Sequence, residues 1–185
     1  MIKHLKKIIF ILVIIVICVF ISIYFLKTYI YPRTYFDIIK EEAIKNNIDP
    51  YLVLAIIKTE SSFDKNATSL KEARGLMQIM DSTASELSSK ENINTDDTIN
   101  LYNETINIPL GCKYFSNLIT RYEGNYYLAI CAYNAGMGNV DKWIEQGIVS
   151  KDLSEYKNIN LPFKETNKYL YKVVYSYKMY RLLYE

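Results

Sequence analysis

Asp49-Pro50-Tyr51-Leu52-Val53-Leu54-Ala55-Ile56-Ile57-Lys58-Thr59-Glu60 is the stretch whose reading decides the fold. Asp49 followed by Pro50 reads as an N-cap with proline at the first helical position, where its missing N–H costs nothing. Val53, Ile56, Ile57 and Glu60 then recur at three- and four-residue spacing, which places them on one helical face. The apolar members of that face turn inward, so Glu60 goes with them. A carboxyl withdrawn from water holds its proton more tightly, and the C-terminal end of a helix disfavours its charge further. Stability alone does not select an acid there. A general acid needs one.

Working outward, 35–46 is helical through Ile38, Ile39, Ala43 and Ile44. Ser69 and Glu72 have capping-box spacing and predict a short turn of helix before Gly75. A short helix is expected over 82–89, then a polar loop over 90–100. The next long helix, 104–122, carries Ile108, Cys112, Phe115, Leu118 and Ile119, and Pro109 must lie in its first turn or kink it. Gly124-Asn125 ends that pattern, 126–133 resumes it, and Gly136 with Gly138 forms a turn before helical 140–146. Pro162 precedes a final helix over 165–184 with Leu170, Val173, Val174, Tyr177 and Tyr180 on one face. No sustained strand alternation, repeat or low-complexity tract interrupts this, so the domain is expected to be mainly α.

The 185 residues suffice for one domain with a real core, but the apolar residues are unevenly spread. Residues 8–26 are nearly all Ile, Val, Leu and Phe and reach about 28 Å as a helix, enough to cross a bilayer core. Lys3, Lys6 and Lys7 precede the run and favour a cytoplasmic N-terminus. The first alanine is Ala43, so no small-residue cleavage site follows the run, and Ile17 before Cys18 does not fit a lipoprotein signal. The expectation is an uncleaved, single-pass anchor in the cell membrane. It divides into a cytoplasmic stub 1–7, a transmembrane helix 8–26, a linker 27–34 and an extracytoplasmic catalytic domain 35–185.

Four of the 22 basic residues fall before Thr28 and no acid precedes Asp37, so the rest carries 18 bases against 20 acids, a net of −2. That is no nucleic-acid footprint. The single histidine, His4, lies before the anchor, which removes His-based triads and His-ligated metals from the external domain. No metal or cofactor is expected. Cys112 and Cys131 lie in helical patterns beside apolar residues; they read as two small buried hydrophobes or, outside the cell, as a bridge.

Several ordered segments together resemble the soluble lytic transglycosylase family, whose catalytic domain is lysozyme-like and related to goose-type lysozyme. They are Glu60-Ser61, Gly75-Leu76-Met77-Gln78-Ile79, Asn107-Ile108 with Gly111 and Tyr114, Ala132-Tyr133-Asn134-Ala135-Gly136, and Pro162-Phe163-Lys164-Glu165-Thr166 followed by Tyr169. The resemblance covers roughly 35–180. It implies cleavage of the β-1,4 bond between N-acetylmuramic acid and N-acetylglucosamine, with 1,6-anhydro product ends. Glu60 would protonate the leaving oxygen and then take the proton of the attacking muramic acid C6 hydroxyl.

The resemblance also implies a groove. Ser61 would position Glu60 or end its helix, and Gln78 would bind an N-acetyl group or the Glu60 carboxyl. Tyr133 would contact sugar or Glu60 through its hydroxyl, with Asn134 beside it. Glu165 and Tyr169, one helical turn apart, would face the same groove. Ser69 and Met80 match positions that line the cleft, although Ser69 also explains itself as a cap. The chain departs from the family pattern at Glu72, Asp81 and Met137, all backbone-shaping positions. The implied partners are peptidoglycan glycan strands, the membrane and unidentified envelope machinery, with no nucleic acid. Two rivals are a hydrolysing muramidase of the goose-lysozyme kind and a catalytically silent wall-binding tether. A complete motif set with Glu60 present argues against silence.

Overall fold

The computed structural model describes residues 2–90, 99–157 and 159–185. Its helices are α1 (Ile2–Phe25), which runs on through a π-helical turn (Leu26–Ile30), α2 (Phe36–Lys45), α3 (Pro50–Glu60), α4 (Asp81–Lys90), α5 (Glu104–Arg121), α6 (Tyr126–Ala135), α7 (Met137–Glu145) and α8 (Lys164–Tyr184). Among the described residues no strand forms; Thr68–Arg74 and Arg74–Ile79 are isolated bridges.

The Asp49 carboxylate accepts the Tyr51 N–H at 2.8 Å, which starts α3 as a capped helix with Pro50 first. All six residues from Leu52 to Ile57 are buried, so α3 is the central helix and its neighbours wrap it. It runs antiparallel to α8: Tyr177 reaches Asp49 at the start of α3, and Tyr169 reaches Glu60 at its end. Ile39 and Ala43 of α2, Ile108, Cys112 and Phe115 of α5, and Leu128 to Ala132 of α6 complete the core. Fully burying each such aliphatic side chain is worth about 1.5–3 kcal/mol. α1 stands apart, long and apolar enough to cross a membrane.

Four local readings are refined. No helix forms over Ser69–Glu72, because the Ser69 hydroxyl accepts the N–H groups of Lys71 and Ala73 and Glu72 takes a left-handed φ of 61°. A left-handed residue cannot continue a right-handed helix, so the segment closes as a turn. Pro109 lies in the second turn of α5 rather than its first. Gly138 lies inside α7, while Gly136 alone makes the bend between α6 and α7, at φ 82°. Of the expected loop 90–100, residues 91–98 lie outside those described. Cys112 and Cys131 are free, buried thiols, each pushed up to about 12 by burial, and behave as apolar side chains.

Candidate active site

The end of α3, the turns over 61–80, the end of α6 and the start of α8 converge on one carboxyl group. Glu60 is the last residue of α3 and half-buried. The Tyr169 hydroxyl, on the buried face of α8, donates to Glu60 Oε1 at 2.6 Å. Burial pushes the Glu60 carboxyl up to about 7; the Tyr169 hydrogen bond pulls it down, and the negative charge of Glu165 adds to the rise. Burial also holds the Tyr169 hydroxyl well above the usual phenol range, so it remains a donor at neutral pH.

Tyr133 is placed beside Glu60, whose charge adds to the effect of burial in raising the Tyr133 hydroxyl. That hydroxyl does not bond Glu60. It donates to the Met77 carbonyl at 2.7 Å, since a buried O–H takes the nearest acceptor. Its ring packs on Tyr114 at 5.3 Å and edge-on against Phe115 at 5.9 Å. Tyr133 therefore ties α6 to the turn over 74–79, and its hydroxyl bonds the Met77 carbonyl in place of the expected Glu60 carboxyl.

Ser61 and Gln78 act on the same turn. The Ser61 hydroxyl lies 2.8 Å from the Leu76 carbonyl and 3.2 Å from that of Ile57. Gln78 sits at φ 50°, and its amide nitrogen donates to the carbonyls of Gly75 at 2.9 Å and Ala67 at 3.1 Å. The Gln78 amide nitrogen and the Ser61 hydroxyl are both spent on backbone left open where the chain is neither helix nor sheet, not on the Glu60 carboxyl. Asn134 accepts the Thr166 hydroxyl at 2.8 Å, which joins α6 to α8. Glu165 and Met80 are exposed, and Ser69 serves its own turn. The structure thus brings Glu60, Tyr169, Tyr133 and Glu165 together, with Ser61, Gln78 and Asn134 as supports and Ser69 as a turn residue.

Asn107 is the support whose role sequence reasoning missed. It is fully buried; its amide nitrogen donates to the carbonyls of Leu101 (2.8 Å) and Arg74 (2.9 Å), and its oxygen accepts the Met77 N–H (2.8 Å). The signal was a polar residue four before Gly111 and eight before Phe115, on one face of α5. The turn presses closely on that face. A Cβ on Gly75, at φ 75°, would stand 2.1 Å from the Leu101 carbonyl oxygen and 2.4 Å from Asn107 Nδ2, so only glycine fits. Thr166, buried among Tyr169, Leu170 and Val173 on α8, was missed in the same way.

A cleft of about 900 Å³ lies at the other end of α6, lined by Tyr122, Asn125, Tyr127, Asp141 and Leu153 among others; Glu60 does not border it. The chemistry-bearing groups mark the site, not the volume of that hollow.

Residues 37–155 match the family described as Transglycosylase SLT domain. The chain is 34% identical over 166 residues to the membrane-bound lytic murein transglycosylase C of Edwardsiella ictaluri, covering 80% of this chain and 46% of that protein. It thus spans under half the length of that curated relative. Among solved structures it resembles an inactive mutant of the lytic transglycosylase Slt from Pseudomonas aeruginosa (31% identity, TM-score 0.70, 82% of this chain and 24% of the other). It also resembles the 70 kDa soluble lytic transglycosylase of Escherichia coli (28% identity, TM-score 0.73, 82% and 25%). With the matched residues spanning α2 to α7 and including Glu60, the chain belongs to the transglycosylase SLT domain family.

Proposed function

We propose that this chain is a membrane-anchored peptidoglycan lytic transglycosylase that cleaves the β-1,4 bond between N-acetylmuramic acid and N-acetylglucosamine and leaves 1,6-anhydromuramic acid ends. Residues 8–26 cross the membrane once, 27–34 join the span to the domain, and 35–185 form an extracytoplasmic catalytic unit. The single observation that supports this reading is the Glu60 carboxyl, held near neutrality by burial and hydrogen-bonded by Tyr169 at 2.6 Å.

A group titrating near neutral pH gives up a proton and takes it back with little penalty in either direction. Glu60 first protonates the glycosidic oxygen as the bond to C1 breaks. The resulting carboxylate then accepts the proton of the C6 hydroxyl as that oxygen attacks C1. The proton count closes, the attacking group belongs to the substrate, and no water is consumed. Glycosidases of the usual kind need a second carboxylate as nucleophile or base. Here Asp64 is exposed with its carboxylate on the Asn66 N–H, and Glu165 is exposed. Glu165 and Met80 are assigned to the walls that grip the glycan, and Ser61, Gln78, Tyr133 and Asn134 to holding those walls in place.

The test is the muropeptide spectrum released from sacculi by the full chain in detergent. Anhydro ends support the reading. Reducing ends would assign a hydrolysing muramidase instead, and retention on sacculi with no soluble product would assign a tether.

A further inference from the structure

Only five non-helical residues, 31–35, separate the apolar helix from α2 of the domain. α1 passes into the π turn Leu26–Ile30, closed by the Tyr31 N–H donating to the Leu26 carbonyl at 2.7 Å. Carbonyls within the turn and just beyond it are held by the domain. The Tyr184 hydroxyl reaches those of Tyr31 (2.8 Å) and Lys27 (3.0 Å), the Tyr180 hydroxyl donates to that of Pro32 (3.0 Å), and the Lys58 ammonium donates to that of Ile30 (2.5 Å).

Side chains close the same joint. Tyr31 is buried, with its ring edge-on to Tyr180 at 5.4 Å, and Lys58 lies 4.9 Å from its centre. The Arg33 guanidinium sits over Tyr184 at 4.6 Å and Phe36 at 4.7 Å. A loose tether leaves its backbone to water; this one is gripped at four carbonyls by α3 and α8.

The joint is also close to the chemistry. Tyr24, Phe25 and Tyr29 are exposed around Lys27, an aromatic and basic girdle of the kind that sits at a bilayer surface. Ile30 follows directly, and its carbonyl is bonded by Lys58, two residues before Glu60 on α3. One helical turn, a lysine's reach and two residues of rise put Glu60 on the order of 20 Å from that girdle.

We propose that this junction is a rigid strut that holds the Glu60 groove at a fixed, short height above the bilayer, so that its substrate is glycan held at the membrane face rather than the bulk wall. The inference rests on the reading of the chain as a membrane-anchored transglycosylase. Its substrate class is a polysaccharide strand still attached to membrane lipid.

The test compares the full chain in liposomes with a variant carrying a flexible Gly/Ser spacer between Phe25 and Leu26. About 20 such residues add roughly 25 Å of reach, and the insertion leaves the clamped segment intact. The unmodified chain is expected to cut lipid-linked glycan strands at least about tenfold faster than suspended sacculi, and the spacer variant to bring the two rates within about twofold. An unchanged ratio overturns the strut. Detergent-solubilised enzyme serves as the control: failure to cut either substrate there sinks the transglycosylase reading. A second measurement stands apart from activity. A fluorophore on Leu70→Cys, fully exposed in the fold, should show one narrow distance to a lipid dye in the unmodified chain and a broad one with the spacer. A broad distribution in the unmodified chain overturns the strut whatever the activity.

Discussion

The Tyr169 hydroxyl stands 2.6 Å from Glu60 Oε1 across 109 residues of sequence. The pair sets two opposed influences on one acid: burial favours the protonated carboxyl, and the donated hydrogen bond favours the charged one. Their balance near 7 is what a group that must both give and receive a proton requires.

Glu60→Gln removes the proton and keeps the shape, and its amide oxygen still accepts from Tyr169. Loss of a positioned acid–base group corresponds to roughly a 10²–10⁴-fold fall in rate. Turnover of purified glycan strands is expected to fall by that factor with the circular dichroism spectrum unchanged. Turnover within about tenfold of the parent would remove Glu60 from the chemistry.

The same substitution reports on stability against pH. The Glu60 carboxyl rises from 4.5 to about 7 on folding, so the folded state binds the extra proton between those values. Stability from this group is complete below pH 4.5 and is lost as pH rises through about 7. The gap corresponds to roughly 3 kcal/mol as an upper figure. Glu60→Gln is therefore expected to match the parent in Tm near pH 4 and to exceed it near pH 8. Parallel Tm curves across that range would show that burial does not perturb the acid.

Tyr169→Phe deletes the interaction that favours the charged carboxyl, so the Glu60 pKa moves further up. The alkaline limb of kcat/KM is expected near pH 7 in the parent and higher in the variant. Activity at the optimum should fall about tenfold, since the carboxyl loses the partner that orients it. An unmoved limb would leave Tyr169 with a packing role alone.

Asn107→Ala strips three backbone groups of their partner in a site with no exposure to water. Unsatisfied buried groups cost about 1–3 kcal/mol each, partly relieved by relaxation, so a loss of roughly 3 kcal/mol is expected in urea unfolding. Cleavage should fall with it below the melting transition, because the turn over 74–79 is tied through the Leu76 carbonyl to Ser61 beside Glu60. A variant with full activity and parental stability would show that the turn stands without α5.

Helix positions were legible because each depends on local chemistry. Asp49-Pro50 starts α3 by capping, and Asn125 starts α6 by accepting the N–H groups of Tyr127 and Leu128. The Ser69–Glu72 turn was misread because capping-box spacing is satisfied equally by a serine that folds back on its own loop. The partners of Gln78 and Tyr133 were illegible for a related reason. Both side chains end on backbone carbonyls of an irregular turn, and sequence does not reveal which carbonyls an irregular turn leaves open.

Sequence by itself determined that the chain is an apolar span followed by a helical domain, and that Glu60 lies on an inward face, since periodicity and capping act within a few residues. Tertiary structure alone decided that Tyr169, and not Ser61, Gln78 or Tyr133, holds that carboxyl, and that Tyr180 and Tyr184 seize the backbone leaving the span. Those contacts join positions more than a hundred residues apart, and a hydrogen bond is set by where helices cross, which no local pattern encodes.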